Sequence, residues 1–142
     1  GMDFASQAQY IKKLTTKYNV KYIGLDTTGM GTGVAQLVRD FFPNLTTFNY
    51  SVDIKNQLVM KGMDVINKGR LEFDAGSTDV AVSLMGIRKT LTASQRQMTF
   101  EASRAENVGH CDLAWALLHA LFNEPLTLDD QTKSKKSSME IY

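Results

Sequence analysis

A strand, a tight turn and a helix are predicted in immediate succession in the segment KYIGLDTTGMGTGVAQLV, and this order restricts the fold more than any other feature. The run NVKYIGLD, which ends at Asp26, is β-prone and apolar, which predicts a short strand buried on both faces. After the glycines, apolar residues recur every three to four positions up to Phe41, which predicts a helix closed by Pro43. Such a sequence is typical of an α/β unit.

The three glycines of this segment raise the possibility of a phosphate-binding loop. Gly29, Gly31 and Gly33 occur at every second position, and Val34 stands where the last glycine of a dinucleotide fingerprint would fall. A P-loop ends in Gly-Lys-Ser/Thr, whereas this loop continues as Gly-Val-Ala. The spacing therefore disfavours a nucleotide site, and we expect the glycines to let the backbone turn tightly after Asp26.

The remaining elements alternate in type along the chain. Helices are predicted at Phe4–Tyr18, Ser51–Gly69, Ser77–Lys89 and Cys111–Asn123, strands at Leu45–Tyr50 and Arg70–Asp74, and a hairpin at Lys89–Ala102. The last helix is apolar nearly all round, which is typical of a buried helix. Because strands alternate with helices, the sequence predicts an α/β layered domain to which the hairpin adds antiparallel strands.

Length and composition favour one globular domain. The chain has 142 residues, of which 43% are hydrophobic and 22% charged, enough to bury a core. From Asp129 the composition turns polar, which predicts a domain over residues 1–128 and a disordered tail over 129–142. A single cysteine and no long apolar run favour a reducing cytoplasm and no membrane segment.

Two acids from distant parts of the chain are candidates for a shared site. Asp26 ends the predicted strand, where open α/β sheets hold ligands, and Asp112 lies in the first turn of the last helix. Each acid also has a purely structural interpretation, because Asp26 suits a turn cap and Asp112 complements a helix dipole. Two carboxylates without cysteine or histidine ligand spacing favour Mg²⁺ or Mn²⁺ over zinc.

Several neighbouring residues have weaker functional interpretations. His110 is a candidate acid–base or outer ligand group, whereas His119 is more typical of packing or hydrogen bonding, and Cys111 of a small buried side chain. A net charge of +1 leaves no global field for nucleic acid, so any basic surface must be local. Candidate DNA-phosphate contacts lie around the predicted hairpin: Arg88, Lys89, Arg96 and Arg104. A solvated hairpin face has the same pattern.

Three segments together resemble a known family. The runs YIGLDTTGMGTGV, RLEFD and FEASRAENVGHCDLAWALLHAL are similar to the C-terminal nuclease domain of the large terminase subunit of tailed bacteriophages and prophages, over about Met2 to Pro125. The resemblance implies an RNase H-like fold, a mixed sheet flanked by helices, and a metal-dependent endonuclease. Such an enzyme hydrolyses concatemeric double-stranded DNA with two metal ions held by three acids.

The resemblance assigns residues and partners to this chain. Asp26 and Asp112 match two of the three acids, whereas the first acid and the hairpin that carries it have no counterpart, and no Walker motif is present. The resemblance therefore implies a fragment with an incomplete Mg²⁺ or Mn²⁺ site and weak or absent activity. Its implied partners are double-stranded DNA, the terminase ATPase domain, the small terminase subunit and the portal, in the bacterial cytoplasm.

Three other functions remain open at this level. Another RNase H-like nuclease, of the resolvase or transposase type, would also carry acids at strand ends and on a late helix. A non-catalytic docking domain of the packaging motor would use the acids only as caps. A nucleotide-binding switch is the third alternative.

Overall fold

The computed structural model describes residues 2–102 and 111–125. Within these ranges the chain forms five helices and four strands, in the order α1 (Phe4–Lys17), β1 (Gly24–Asp26), α2 (Gly31–Arg39), β2 (Thr46–Phe48), α3 (Val52–Asn67), α4 (Thr78–Met85), β3 (Ile87–Leu91), β4 (Met98–Ala102) and α5 (Cys111–Phe122). The tail expected from Asp129 lies outside the described residues, so the domain boundary stays a prediction. No helix in the described ranges is long and apolar enough to cross a membrane.

Parallel and antiparallel pairings both occur, which confirms the α/β class. β1 pairs with β2 in parallel, with Asp26 opposite Phe48. β3 pairs with β4 in an antiparallel hairpin, with Lys89 opposite Phe100. Among the described residues these pairings form two separate two-stranded sheets. The parallel pair brings the C-terminal ends of β1 and β2 to the same edge, where the polar residues of the site lie.

Three local predictions were wrong. β1 is shorter than the run Asn19–Asp26, and its residues are half-buried or exposed because β2 is its only strand partner in the described chain. The helix expected to reach Lys89 ends at Met85, where the Gly86 amide donates to carbonyls of the last turn. Residues 70–74 do not form the expected strand. Instead, the Arg70 guanidinium donates to Glu124 and to the carbonyl of Pro125, which fastens this segment to the end of α5.

Two apolar clusters hold the domain together. The first lies between α1 and α2, and its buried members are Ala8, Val34, Ala35, Val38 and Leu45. The second joins β2, α3, α5 and the hairpin, and its buried members are Phe48, Leu58, Val59 and Leu118. Burial of these side chains supplies the main favourable free energy of folding. Phe48 lies in the second cluster directly opposite Asp26 in the sheet, so the candidate site is built on the edge of this core.

Candidate metal centre

Asp26 lies at the end of β1, and its side chain is exposed. Its Oδ1 accepts a hydrogen bond of 2.8 Å from the backbone amide of Thr28, which is the turn-capping contact that the structural interpretation of this acid predicts. A carboxylate has two oxygens and about four acceptor positions, so one amide bond leaves capacity for a cation. Capping and metal binding by Asp26 are therefore compatible.

The glycines of the turn serve the backbone in different ways. Gly29 has a φ of +67°, the left-handed conformation that glycine adopts without a steric penalty. Gly31 opens α2, and a Cβ at this position would lie 2.2 Å from the carbonyl oxygen of Asp26. The expected helix after the glycines thus begins earlier, with Gly31 and Gly33 inside it. The helix starts directly against Asp26 because no side chain separates them.

Thr27 and Thr28 connect the ends of the two parallel strands. The Thr27 amide donates to the carbonyl of Phe48 at 2.8 Å, and Thr28 Oγ1 accepts from the amide of Tyr50 at 2.8 Å. Asp26, Thr28 and Tyr50 are therefore joined in one hydrogen-bonded series. The turn that follows Asp26 is positioned by β2 as well as by β1.

Asp112 lies in the first turn of α5 and is exposed. Cys111, the first residue of the helix, is buried, as the sequence predicts. Ser83 on α4 accepts a hydrogen bond of 2.8 Å from the amide of Ala114, so a neighbouring helix satisfies one of the amides that a helix N-terminus leaves without an intrahelical partner. This contact positions the turn that carries Asp112.

The charges of both acids affect the Tyr50 hydroxyl. Burial raises the pKa of the Tyr50 phenol far above its ordinary value, and the negative charges of Asp26 and Asp112 raise it further. Both carboxylates therefore act on one hydroxyl, although they stand at positions 26 and 112 of the sequence. The phenol stays protonated in this environment.

His119 lies behind Tyr50 and is buried. Its Nε2 lies 2.6 Å from the Tyr50 hydroxyl, and its ring stacks on Phe48 with centroids 4.5 Å apart. Burial lowers the pKa of His119, and this effect is opposed by a hydrogen bond to the backbone of Gly24 and by the charge of Asp26. His119 therefore packs and hydrogen-bonds, as the sequence indicates, and the neutral ring is favoured.

Tyr50 is the site residue that sequence reasoning missed. It ends the β-prone run LTTFNY and precedes the cap residue of α3, Ser51, so it resembles an ordinary strand-end aromatic. The available signal was its position at the C-terminal end of the predicted strand Leu45–Tyr50, because open α/β sheets hold ligands at strand ends. Only the parallel register of β1 and β2 places it beside Asp26.

The two acids fit a hydrated divalent cation. No group of three or more histidine, cysteine, aspartate or glutamate side chains in the described ranges forms a complete metal cage. Mg²⁺, however, is commonly bound through one or two carboxylates while it keeps several waters. Asp26 and Asp112 are both exposed carboxylates, and they would be the ligands of such an ion.

The predicted DNA-contacting residues do not form one strip on the hairpin. Arg88 and Lys89 are adjacent in β3 and exposed, so their side chains leave opposite faces of the hairpin. Arg88 lies directly opposite Glu101, whereas Lys89 lies opposite Phe100. Arg96 is exposed in the connecting turn. Arg104 and His110 lie outside the described residues, so their assignments stay predictions.

Sequence comparisons identify relatives among phage proteins. Residues 1–124 match the family described as the terminase RNase H-like domain. The chain is 53% identical over 142 residues to the terminase ATPase subunit of Escherichia phage P2, covering 100% of this chain and 24% of that protein. It is 33% identical over 140 residues to the probable terminase ATPase subunit of Haemophilus phage HP1 (strain HP1c1), covering 98% of this chain and 23% of that protein. The chain thus spans about a quarter of the length of these curated relatives.

The fold is also similar to solved structures. Crystal structures of the large terminase nuclease from the thermophilic phage G20c, one with bound cobalt and one with bound magnesium, superpose with TM-scores of 0.71 and 0.72. The sequence identity is 24% in both cases, and the alignments cover 87% of this chain and 63% of that nuclease. This similarity establishes the RNase H-like fold. Together with the match over residues 1–124, it shows that this chain belongs to the family of terminase RNase H-like domains.

Proposed function

We propose that this chain is the nuclease domain of a phage terminase large subunit and that it hydrolyses phosphodiester bonds of concatemeric double-stranded DNA by a two-metal mechanism. The observation that carries the proposal is the match of residues 1–124 to the terminase RNase H-like domain, with Asp26 at the end of β1 and Asp112 in the first turn of α5. A nuclease with the same fold binds magnesium and cobalt. In this chain, Asp26 and Asp112 would be the carboxylates that hold Mg²⁺ or Mn²⁺.

The residues of the site divide the work between metal binding and DNA positioning. Divalent ions, when bound, activate water and stabilise the charge that develops on the phosphate oxygens. Asp26 and Asp112 would hold these ions, and His110 would serve as an acid–base group or hydrogen-bond to the ligands. Basic residues at the hairpin would contact DNA phosphates and position the duplex without reading its sequence. These are Arg96 and Arg104, together with either Lys89 on one face of β3 or Arg88 on the other.

Activity of this chain alone is proposed to be weak. The described residues supply two carboxylates at the site, whereas the two-metal chemistry of this family uses three acids. A smaller donor set lowers metal affinity, since each missing carboxylate removes one charged ligand. In the bacterial cytoplasm the domain would act on DNA together with the terminase ATPase domain, the small terminase subunit and the portal.

Plasmid nicking tests the nuclease proposal. The purified chain is incubated with supercoiled DNA in Mg²⁺ or Mn²⁺, and nicked product is compared with that of Asp26→Asn and Asp112→Asn. Slow, cation-dependent nicking that both substitutions abolish is expected. Asp79→Asn is the matched control, because Asp79 is also an exposed acid in the first turn of a helix, α4. Nicking that survives both substitutions would show that the site is assigned wrongly.

Salt-dependent DNA binding tests the role of the hairpin. Lys89→Gln is expected to weaken binding to a duplex more than Arg88→Gln does. Arg88 lies opposite Glu101, whose negative charge already offsets part of the positive charge of Arg88. Each lost phosphate contact also reduces the dependence of log Kd on log salt by about one. Equal binding by wild type and both variants would remove the hairpin from the proposed interface.

A non-catalytic docking domain of the packaging motor is the second candidate. The hydrogen bond from the Thr28 amide to Asp26 Oδ1 favours it, because capping accounts for this acid without a metal. Calorimetry with Mn²⁺ separates the two candidates. A docking domain predicts no heat of binding and no change on Asp26→Asn, whereas the nuclease predicts binding that Asp26→Asn weakens.

A further inference from the structure

A series of hydrogen bonds joins the ends of β1 and β2 to α5. It starts at Asp26 Oδ1, passes through Thr28 to the amide of Tyr50, and continues from the Tyr50 hydroxyl to Nε2 of His119. His119 also lies against Gly24, two residues before Asp26. The series therefore begins on β1 and reaches one residue of α5 that packs back against β1.

The contact between Tyr50 and His119 is a hydrogen bond in either tautomer of the ring. The Tyr50 hydroxyl and Nε2 of His119 lie 2.6 Å apart. A neutral imidazole has one nitrogen that donates and one that accepts, and a hydroxyl can do either, so the pair forms one hydrogen bond whichever group donates.

Packing restricts the rings that make these bonds. The His119 ring stacks on Phe48, and Tyr50 lies against Trp115 with ring centroids 5.3 Å apart. A Cβ added at Gly24 would lie 3.0 Å from Cβ of His119, so α5 and β1 approach each other closely at this point. The contact leaves little freedom for α5 to rotate or slide along β1.

The position of His119 on α5 connects this contact to Asp112. The two residues are seven positions apart, two helical turns, and so lie on nearly the same face of the helix. Fixing His119 against Gly24 and Tyr50 therefore fixes the rotation of α5, and with it the direction in which Asp112 leaves the first turn. Thr28 and Tyr50 fix Asp26 from the other side.

We infer that Tyr50 and His119 are positioning residues, which hold Asp26 and Asp112 at the separation and orientation that a shared divalent cation requires. The inference rests on the proposed function for the identity of the ligand. Neither side chain is assigned a contact with the ion or with DNA. Tyr50 acts on Asp26 through Thr28 at the end of β1, and His119 acts on Asp112 through α5.

Tyr50→Phe is the principal test, because it removes the hydroxyl and keeps the ring that packs on Trp115. Titration calorimetry with Mn²⁺ is expected to show about a tenfold loss of affinity, the size typical when a residue that supports a metal ligand is removed. His119→Leu is expected to have a similar effect. His119→Gln is expected to keep most of the affinity, since its amide can donate to the Tyr50 hydroxyl or accept from it.

A control separates positioning from general destabilisation. Val38→Ala creates a cavity in the cluster between α1 and α2, which does not include Tyr50 or His119. It is expected to lower the melting temperature while leaving Mn²⁺ affinity unchanged. If Tyr50→Phe and His119→Leu bind Mn²⁺ as wild type does, or if Val38→Ala weakens binding as much as they do, the inference is wrong.

NMR spectra of the metal-free protein test the inference independently of the proposed function. Tyr50→Phe is expected to shift or broaden the backbone amide resonances of both Asp26 and Asp112, and His119→Gln is expected to leave them nearly in place. Wild-type protein that binds no Mn²⁺ would refute the metal site, and the metal-free resonances would still decide whether Tyr50 positions the two acids. Unchanged resonances in Tyr50→Phe would overturn the positioning role.

Discussion

Ser83 Oγ accepts a hydrogen bond of 2.8 Å from the backbone amide of Ala114 and so caps a helix to which it does not belong. Helix caps usually come from the residue that precedes the helix itself. Here α4 provides the cap for α5, and the capped turn carries Asp112. The candidate site is thus supported by a buried contact between two helices that sequence patterns treat as separate.

Removal of this cap is expected to destabilise the domain. Ser83→Ala leaves the Ala114 amide without its acceptor in a buried position, which costs about 1–3 kcal/mol in the free energy of unfolding. Ser77→Ala is the control, because Ser77 precedes α4 without making a side-chain cap bond, and a change below about 0.5 kcal/mol is expected. Urea denaturation measures both values, and equal stability of the two variants would contradict a capping role for Ser83.

Alanine substitutions in the glycine turn are expected to destabilise the protein more where there is less room for a Cβ. Gly29→Ala places an alanine at a φ of +67° and should cost about 1–2 kcal/mol. Gly31→Ala should cost more, about 2–3 kcal/mol, because its Cβ would meet the Asp26 carbonyl at 2.2 Å. Gly76→Ala is the control, since its nearest contact is an ordinary 3.6 Å. Thermal unfolding gives the order, and a larger effect at Gly29 than at Gly31 would contradict the close approach.

Stability is expected to fall at acid pH through His119. Burial lowers the pKa of this ring in the folded state below its ordinary value of 6.5, so the unfolded chain takes up the proton first as pH decreases. The stabilising contribution is complete above pH 6.5 and is lost as pH falls towards the folded pKa, with a slope of at most about 1.4 kcal/mol per pH unit.

The measurement for this pH dependence uses a His110→Gln background, which removes the other of the two histidines in the chain. Chemical denaturation between pH 5 and about pH 8 is then compared with that of the same chain carrying His119→Gln as well. The difference between the two curves is expected to change below pH 6.5 and to be constant above it. A difference that is constant at every pH would show that His119 does not titrate differently on folding.

The contact between Arg70 and the end of α5 is expected to contribute more to the free energy of unfolding than the exposed ion pair between Lys68 and Asp64. Arg70 donates to Glu124 and to the Pro125 carbonyl in a partly buried position, so Arg70→Ala should lower the free energy of unfolding by about 1.5–3 kcal/mol. Lys68 and Asp64 form an exposed pair at 3.2 Å, and Lys68→Ala should cost less than about 0.5 kcal/mol. Urea denaturation tests the difference, and equal costs would contradict the anchoring role of Arg70.

The local sequence pattern predicted most helices and the hairpin, because these elements depend on interactions between nearby residues. The apolar periodicity of α1 and α3, the cap at Ser51 and the polar centre of the hairpin all act within a few positions. The segment 70–74 was predicted wrongly for the opposite reason. Its β-prone composition was outweighed by the contacts of Arg70 with Glu124 and Pro125, more than fifty positions away.

The sequence by itself determined the α/β class, the family resemblance and the positions of the two candidate acids, since Asp26 ends a strand and Asp112 opens a helix. The tertiary structure decided that Tyr50 and His119 connect the elements carrying these acids and that Arg88 and Lys89 lie on opposite faces of the hairpin. The physical reason is that hydrogen bonds and charge interactions act over a few ångströms in space. Spacing along the chain does not specify which side chains meet there until strand register and helix rotation are fixed.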